Sequence, residues 1–474
     1  MKALWRFLSG RRPSPSRGTM NRRSSVRAPH GQSGRVFEEC VGGPAASAGS
    51  SYSSISISSG RLVLAGLLLC GFVWVGWRIV ANTADYNAAA SDPKTALAWT
   101  PSEARALDEL AYREVTKADG NLDTARSLAE RALRSEPIDA RALLVLGLIA
   151  ERQGDQTRAD TLIRLSGTHT WRDTPTQVWL LKRDIQLGEF ERSLAHVDAL
   201  LRVNPEFLEQ AIPVLSAFTI DKRTFDALAS FLATAPPWRS GFLANLSVRL
   251  SDTGRLVQLY AALKDSQHPL DAMELGPYLD RLIRDGRLSE AYKSWQDTLP
   301  PKLRMGEVYP YNGDFSAPID GLPFNWLLRP VSGMDIQIVP SPGNGERRAL
   351  QLQFSGARLI PFTIGQLMLL PPGEYRMTGR VRAEDLRTPR GLGWHISCAE
   401  APNKPLALTS LVANAVPWTS FSVDFAVPAG NCHGQWLNLE IPSRTASERQ
   451  IEGQIWYEDL QIGRVGNGHS AVVQ

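Results

Sequence analysis

Reactive side chains are scarce in this sequence. Among 474 residues there are 4 cysteines and 7 scattered histidines. The motifs Gly-x-Ser-x-Gly, His-Glu-x-x-His and Cys-x-x-Cys are absent, and so is a Walker-type phosphate loop. We therefore expect a protein that is not an enzyme and needs no cofactor. A glycan-acting enzyme is the enzymatic alternative. It would need two carboxylates that are far apart in the sequence to meet in the folded chain.

The main part of the chain also lacks an excess of charge of one sign. The formal net charge is +4, yet residues 1–60 alone hold nine Lys and Arg against two Glu, so the rest is close to neutral. A near-neutral body has no electrostatic footprint for nucleic acid, and we expect no nucleic-acid partner. Residues 1–60 are rich in Ser, Gly, Pro and Arg, a composition typical of a disordered tail.

One long hydrophobic run occurs, over residues 61–81, with Arg61 and Arg78 near its ends. About 20 apolar residues cross a bilayer, so the run predicts one transmembrane helix. The basic tail then stays in the cytoplasm. After a linker at 82–99, the bulk of this single-pass inner (plasma) membrane protein is expected in the periplasm. A cleaved signal peptide is the alternative, although the region before the run is longer than signal peptides carry.

Cys398 and Cys432 are the two cysteines of the C-terminal part. Cysteines in an oxidising compartment usually pair, and we predict a disulfide between them. The neighbouring His395 and His433 offer a metal site as the alternative. On an extended strand, however, His395 and Cys398 face opposite ways and do not easily share one ion.

A strict glycine period marks the middle of the chain. Gly120, Gly154 and Gly188 are equally spaced. Each is followed five positions later by a small residue: Ala125, Ala159 and Ser193. A period of this length, roughly 34 residues, predicts stacked helical hairpins. The pattern resembles the tetratricopeptide repeat, with units at 106–139, 140–173 and 174–207, and the resemblance implies a groove that binds a protein partner.

The helical region is predicted to span 100–299. It begins with Thr-Pro-Ser-Glu at Thr100, which has the features of an N-cap. The turns Gly254-Arg255-Leu256 and Gly286-Arg287-Leu288 continue the repeat at less regular spacing. We expect five to six hairpins in all, forming an α-solenoid.

Strand patterns replace helical patterns after Pro300. Segments at 350–354, 375–382, 421–427 and 437–441 alternate apolar and polar residues. They predict an antiparallel β-sandwich over 306–465, followed by a flexible tail at 466–474. Two motifs, Asn312-Gly-Asp-Phe315 and Trp456-Tyr-Glu-Asp-Leu460, resemble the opening and closing strands of galactose-binding-like jelly rolls, the fold of many carbohydrate-binding modules.

A sugar site is the functional hypothesis for this sandwich. If Leu437 and Leu439 face inward, then Trp436, Asn438 and Glu440 face outward together. An exposed indole with an amide and a carboxylate beside it suits a sugar ring. The outward side chains of another strand extend this hypothesis towards an acidic polysaccharide: Arg376, Thr378, Arg380 and Arg382. The structural alternative is that Trp436 packs under a loop and the arginines form a solvated face.

A structural calcium is a second hypothesis. In related jelly rolls, acidic residues near the opening and closing strands hold such an ion, which here points to Asp314, Glu458 and Asp459. An ordinary turn aspartate is the alternative explanation for Asp314.

These predictions combine into a multidomain α + β protein with one transmembrane helix, an α-solenoid of tetratricopeptide-like hairpins and a jelly-roll β-sandwich. The expected function is that of a membrane-anchored periplasmic adaptor. Its helices would bind a protein partner and its sandwich a glycan, in envelope polysaccharide synthesis or export. The alternative is a structural assembly factor whose sandwich binds no sugar and docks on its own helices.

Overall fold

The computed structural model describes residues 91–300, 303–304 and 308–465. The chain forms two compact units that divide between Val203 and Asn204. The first unit is helical, and the second contains further helices and all of the described strands. Each unit is described by itself.

The first unit contains seven helices in the described residues. They are α1 (Pro93–Trp99), α2 (Ala104–Thr116), α3 (Leu122–Ser135), α4 (Ala140–Arg152), α5 (Gln156–His169), α6 (Thr174–Leu187) and α7 (Phe190–Val203). Asparagine or aspartate side chains cap the N-termini of α3 to α6 by accepting backbone hydrogen bonds. The short helix α1 lies inside the stretch predicted as a linker, and α2 begins after the Thr-Pro-Ser-Glu sequence.

Helices α2 to α7 form three hairpins. The second helix of each begins just after the glycine of its repeat, at Leu122, Gln156 and Phe190, so these helices follow the glycine period. The small residues predicted at the helix contacts are fully buried: Ala125, Ala159 and Ser193. Small side chains at these positions allow the two helices of a hairpin to approach closely. The predicted helical array is therefore confirmed.

Six helices begin the second unit. They are α8 (Leu208–Ala217), α9 (Lys222–Leu232), α10 (Arg239–Arg249), α11 (Thr253–Lys264), α12 (Ala272–Arg284) and α13 (Leu288–Gln296). A buried ion pair joins two of them, with Arg239 Nη2 2.6 Å from Glu274 Oε2. Ser240 donates to the same carboxylate at 2.9 Å, so the buried charge is paired and hydrogen-bonded.

Ten strands follow. They are β1 (Leu327–Arg329), β2 (Met334–Ser341), β3 (Asn344–Arg358), β4 (Thr363–Met368), β5 (Gly373–Arg387), β6 (Gly393–Cys398), β7 (Pro405–Leu408), β8 (Val416–Val427), β9 (Gln435–Glu440) and β10 (Gln450–Arg464). The strand order is β2-β3-β10-β5-β8 in one sheet, here called the front sheet, and β1-β4-β9-β6-β7 in the other, here called the back sheet. Neighbouring strands are antiparallel. The predicted antiparallel sandwich is confirmed.

One apolar core fills the space between the two sheets. Trp394 lies at its centre, with its ring centroid 5.7 Å from that of Trp326 and 5.3 Å from that of Tyr457. The predicted disulfide joins Cys398 and Cys432 at the edge of this core. Aromatic burial of this size is a large part of what offsets the chain entropy of ordering the strands.

Trp295 of α13 connects the helices of the second unit to the sandwich. Its indole is 1% exposed, and its ring meets Tyr311 edge-on at 5.0 Å and Phe324 at 5.8 Å. The indole Nε1 also donates to Asp320 Oδ2 at 3.2 Å. The sandwich therefore packs on helices of its own unit.

The predicted transmembrane helix at 61–81 lies outside the described residues, as do the tails at 1–60 and 466–474. In the described ranges, no helix is long and apolar enough to cross a bilayer. The longest described helices have 14 residues, about 21 Å at 1.5 Å per residue, against about 30 Å of hydrocarbon. This finding corrects two predictions: the fold class that began with a transmembrane helix, and the inner-membrane location derived from it. The described fold is a helical array followed by a β-sandwich.

Candidate ligand-binding face of the sandwich

The predicted sugar residues of β9 share one face, as the alternation of the strand requires. Leu437 and Leu439 point into the core, whereas Trp436, Asn438 and Glu440 lie on the outer face of the back sheet. Trp436 and Asn438 are both half-buried. The structure therefore brings the three predicted side chains to one side of one strand.

Helix α13 reaches this face of the back sheet. Leu367, the neighbour of Trp436 on β4, lines a small cavity with Trp295 and Leu299. At Gly434, just before β9, an added Cβ would lie 2.9 Å from Leu288 Cδ1 at the start of α13. The end of β9 that carries Trp436 is thus next to the docked helices, which favours the packing explanation of this indole.

Arg376 and Arg380 do not join Trp436. Both lie on β5 in the front sheet, on the opposite side of the sandwich from β9. Arg376 makes a two-pronged ion pair with Asp424 of β8, at 2.6 and 2.8 Å, and both side chains are more than half exposed. The sequence could assign these arginines to an outer face but not to a sheet.

The outer face of the front sheet carries a different cluster, centred on Trp456 and Glu458 of β10. Ile455 and Tyr457 belong to the core, so the two residues that alternate with them point outward. Trp456 is nevertheless only 4% exposed, and the Arg382 guanidinium lies 6.0 Å from its ring centroid.

Glu458 is 1% exposed. Its Oε1 accepts a hydrogen bond from Arg380 Nη1 at 2.5 Å. Its Oε2 has no hydrogen-bond partner among the described residues. Leaving a buried acceptor unpaired costs about 1 to 3 kcal/mol, and more for a charged group. This oxygen is therefore a buried acceptor in the front sheet that the described protein leaves unsatisfied.

Trp418 of β8 completes the cluster and is partly exposed. Arg380 stacks on it, with the guanidinium carbon 5.2 Å from the ring centroid. Its Nε1 donates to the backbone oxygen of Pro342 at 2.9 Å, in the turn between β2 and β3. The indole of one edge strand thus bonds to a turn at the other edge of the sheet, which fixes its ring.

Planar polar groups continue the face on both sides of Trp456. Gln351 of β3 donates to Gln454 Oε1 at 3.1 Å, and Arg382 on the other side pairs with Glu384. We call the set Trp418, Trp456, Glu458, Arg380, Arg382, Gln351 and Gln454 the front-face cluster. Aromatic rings beside amide, guanidinium and carboxylate groups offer both an apolar platform and paired donors and acceptors.

The three carboxylates of the calcium hypothesis have other partners. Glu458 is paired with Arg380 and Asp459 with Arg347. Asp314 accepts hydrogen bonds from the backbone N and the Oγ of Ser316, as expected for a turn aspartate. Across the described part of the chain, no group of three His, Cys, Asp or Glu side chains is arranged to hold a metal ion. The disulfide likewise removes Cys398 and Cys432 from the metal alternative.

Sequence reasoning did not assign Trp418 and Trp456 to the outer face of a sheet. Trp418 lies in β8 just before 421–427, the segment from which a strand was predicted, and the register shift between β5 and β8 falls beside it. In β10, Trp456 and Tyr457 are adjacent aromatic residues, and either could have been the inward one. The carboxylate of Glu458, which shares the parity of Trp456, was the available signal.

Comparisons with known proteins return no match to a family model and none to a curated protein. Among solved structures, the chain is similar to a CBM4 module at 13% identity, over 32% of this chain and 98% of that one, with a TM-score of 0.25. It is also similar to the CBM22-1 and GH10 modules of Clostridium thermocellum xylanase 10B with xylohexaose, at 18% identity over 34% and 29% of the two chains, with a TM-score of 0.22. A third is the CBM22-1 xylan-binding domain of Paenibacillus barcinonensis Xyn10C, at 11% identity over 30% and 87%, with a TM-score of 0.21.

These structural neighbours are carbohydrate-binding modules, in keeping with a β-sandwich of that general kind. At such TM-scores the likeness carries no argument about function, which must rest on the residues of the front-face cluster. The tetratricopeptide resemblance remains a prediction, because no family model matches the helical array.

Proposed function

We propose that this chain is a non-enzymatic adaptor whose sandwich binds a neutral glycan on the front-face cluster. The observation that carries the proposal is the buried carboxylate of Glu458, which has one oxygen unpaired and binds Arg380, the residue that also stacks on the fixed indole of Trp418. A sugar hydroxyl donates to such an oxygen, and the apolar C–H face of the sugar ring stacks on the indole.

The charges of this face favour a neutral sugar over an acidic one. Its arginines are matched by carboxylates in the pairs Arg347–Asp459, Arg376–Asp424, Arg380–Glu458 and Arg382–Glu384. No net positive field remains from these pairs to attract uronate or sulfate groups. The acidic-polysaccharide hypothesis from the sequence is therefore replaced by a neutral one.

The test is affinity electrophoresis of the full chain in gels that contain neutral or acidic polysaccharides. A neutral glycan is expected to retard the wild type. W418A should weaken binding at least tenfold, about 1.4 kcal/mol, because the stacking platform is removed. W436A is the matched control from the back sheet and should bind as the wild type does.

The outcomes separate the two faces. Loss of retardation in W436A with retention in W418A would move the site to the back sheet and refute this proposal. Retardation by acidic polysaccharides alone would contradict the charge argument.

The protein-partner half of the adaptor is assigned to the helical array of the first unit. Stacked hairpins bury their mutual contacts and leave an extended outer surface for a partner. Charge reversals on exposed positions of α2 to α7 should release a bound protein and leave glycan retardation unchanged. The envelope role expected from the sequence depended on a membrane anchor and is not part of the proposal.

A purely structural sandwich is the second candidate function. It is favoured by the buried contact of Trp295 with Tyr311 and Phe324, through which the sandwich packs on its own helices. Absence of retardation by every glycan tested, from a folded and disulfide-bonded protein, would select this candidate.

A further inference from the structure

The first unit contains a pocket of about 460 Å³ where helices α2, α4 and α6 begin. Its walls carry three arginines and five carboxylates: Asp108, Glu109, Glu136, Asp139 and Asp173. The volume suits a small organic group rather than a folded segment.

Part of this charge is already matched within the pocket. Arg141 Nη2 lies 2.5 Å from Asp173 Oδ1, and its Nη1 lies 4.0 Å from Glu109 Oε2. The same guanidinium stacks on Tyr112, 4.9 Å from the ring centroid. Arg141 is therefore held against Asp173, and Glu109 has a second cation in Arg113, 2.7 Å from its Oε1.

Asp108 is the unusual member of the cluster. It is 4% exposed, and its Oδ1 makes no hydrogen bond within the described residues. Asp139 faces it from the N-terminus of α4, where Asp139 Oδ1 accepts hydrogen bonds from the backbone N of Arg141 and of Ala142. Asp108 shares a hydrogen bond with Asp139, so its Oδ1 is the buried polar atom of this pair that the described protein leaves unsatisfied.

Burial raises the pKa of Asp108 to about 9, and the hydrogen bond and charge of Asp139 act in the same direction. Of the other charges around Asp108, Arg141 opposes the shift and Glu136 adds to it; the pocket wall also holds Arg105, Glu109, Arg172 and Asp173. The carboxyl therefore keeps its proton at neutral pH.

We propose that this pocket binds a guanidinium group, free or on an arginine side chain, against Asp108 and Asp139. A planar guanidinium has several N–H donors, so it can satisfy Asp108 Oδ1 and the second oxygen of Asp139 together. Its positive charge replaces the proton that the two carboxyls share. A metal ion is a poorer fit, because the described residues hold no group of ligands arranged for one.

Proton release makes the proposal testable without any mutation. Agmatine, a free guanidinium compound, is titrated calorimetrically into the full chain at pH 6, 7 and 8, in two buffers of different ionisation enthalpy. Affinity should rise by close to tenfold per pH unit, with about one proton released at pH 7, because Asp108 must ionise to pair with the cation. Acetyl-arginine amide distinguishes a side-chain ligand from a free one, and propylurea is the neutral analogue that should not bind.

D108N retains the shape and a donor towards Asp139 but cannot ionise. It should bind agmatine at least tenfold more weakly and lose the pH dependence, whereas D123N, on the exposed start of α3, should match the wild type. Circular dichroism checks that D108N is folded. Binding that is flat with pH, that persists in D108N, or that is absent at millimolar agmatine would each overturn the proposal, and none of these outcomes bears on glycan binding.

Discussion

Replacing Trp295 with alanine should separate the sandwich from the helices that support it. The indole is 1% exposed and touches Tyr311 and Phe324. Burial of a Trp removes about 150 to 250 Å² from water, and core Trp to Ala substitutions cost about 3 to 5 kcal/mol. Asp320 keeps a second donor, the backbone N of Leu322 at 2.8 Å, so the lost indole hydrogen bond adds only about 1 kcal/mol.

We therefore expect W295A to lower the free energy of unfolding of the second unit by about 4 kcal/mol. Guanidinium unfolding followed by circular dichroism measures the loss. Hydrogen exchange of peptides from α13 and from residues 308–326 locates it. W295F keeps a ring and should lose less than half as much. M273A, on the exposed face of α12, is the control and should change stability by less than about 0.5 kcal/mol.

A loss below about 1 kcal/mol in W295A, with unchanged exchange in both peptides, would show that the contact does not hold the sandwich to its helices. The second candidate function would then lose its supporting observation. Retained glycan retardation by folded W295A is expected in either case, since the front-face cluster lies on the other sheet.

Two further predictions concern stability. Replacing Cys432 with serine opens the Cys398–Cys432 bridge, which spans 34 residues. By the loop-entropy relation this should lower the free energy of unfolding by about 4 kcal/mol. A thermal midpoint that is insensitive to C432S and to reductant would contradict this prediction. Burial lowers the pKa of His196 below its usual 6.5, against the opposing charge of Asp184. The unfolded chain therefore takes up a proton first, so stability that is complete above about pH 6.5 should fall as the pH drops below it, by at most about 1.4 kcal/mol per unit. The slope is measured by unfolding the first unit between pH 7.5 and 5.5 and following the fluorescence of Trp171, whose ring stacks on His196 at 5.8 Å. H196Q should reduce the dependence of stability on pH. An equal slope in both proteins would refute the assignment to His196.

Local patterns were enough to predict much of this fold. The glycine period placed three hairpins because one hairpin and its packing contact fit within one period, and Ala125, Ala159 and Ser193 are buried where the period requires. The alternation of β9 predicted which side of the strand each residue would take, since successive side chains point to opposite faces. The disulfide followed from there being two cysteines beyond the helical region.

Only the tertiary structure decided which side chains share a face of the sandwich. A period of two distinguishes inside from outside, but it does not say which sheet a strand joins. Thus Trp436 and Arg380, both correctly expected to face outward, lie on opposite sheets. Glu458 meets Arg380 across 78 residues because β10 pairs with β5, and no local pattern encodes a pairing over that distance. The candidate site is a product of strand order: Arg380 and Glu458 were singled out in the sequence, whereas Trp418 was not.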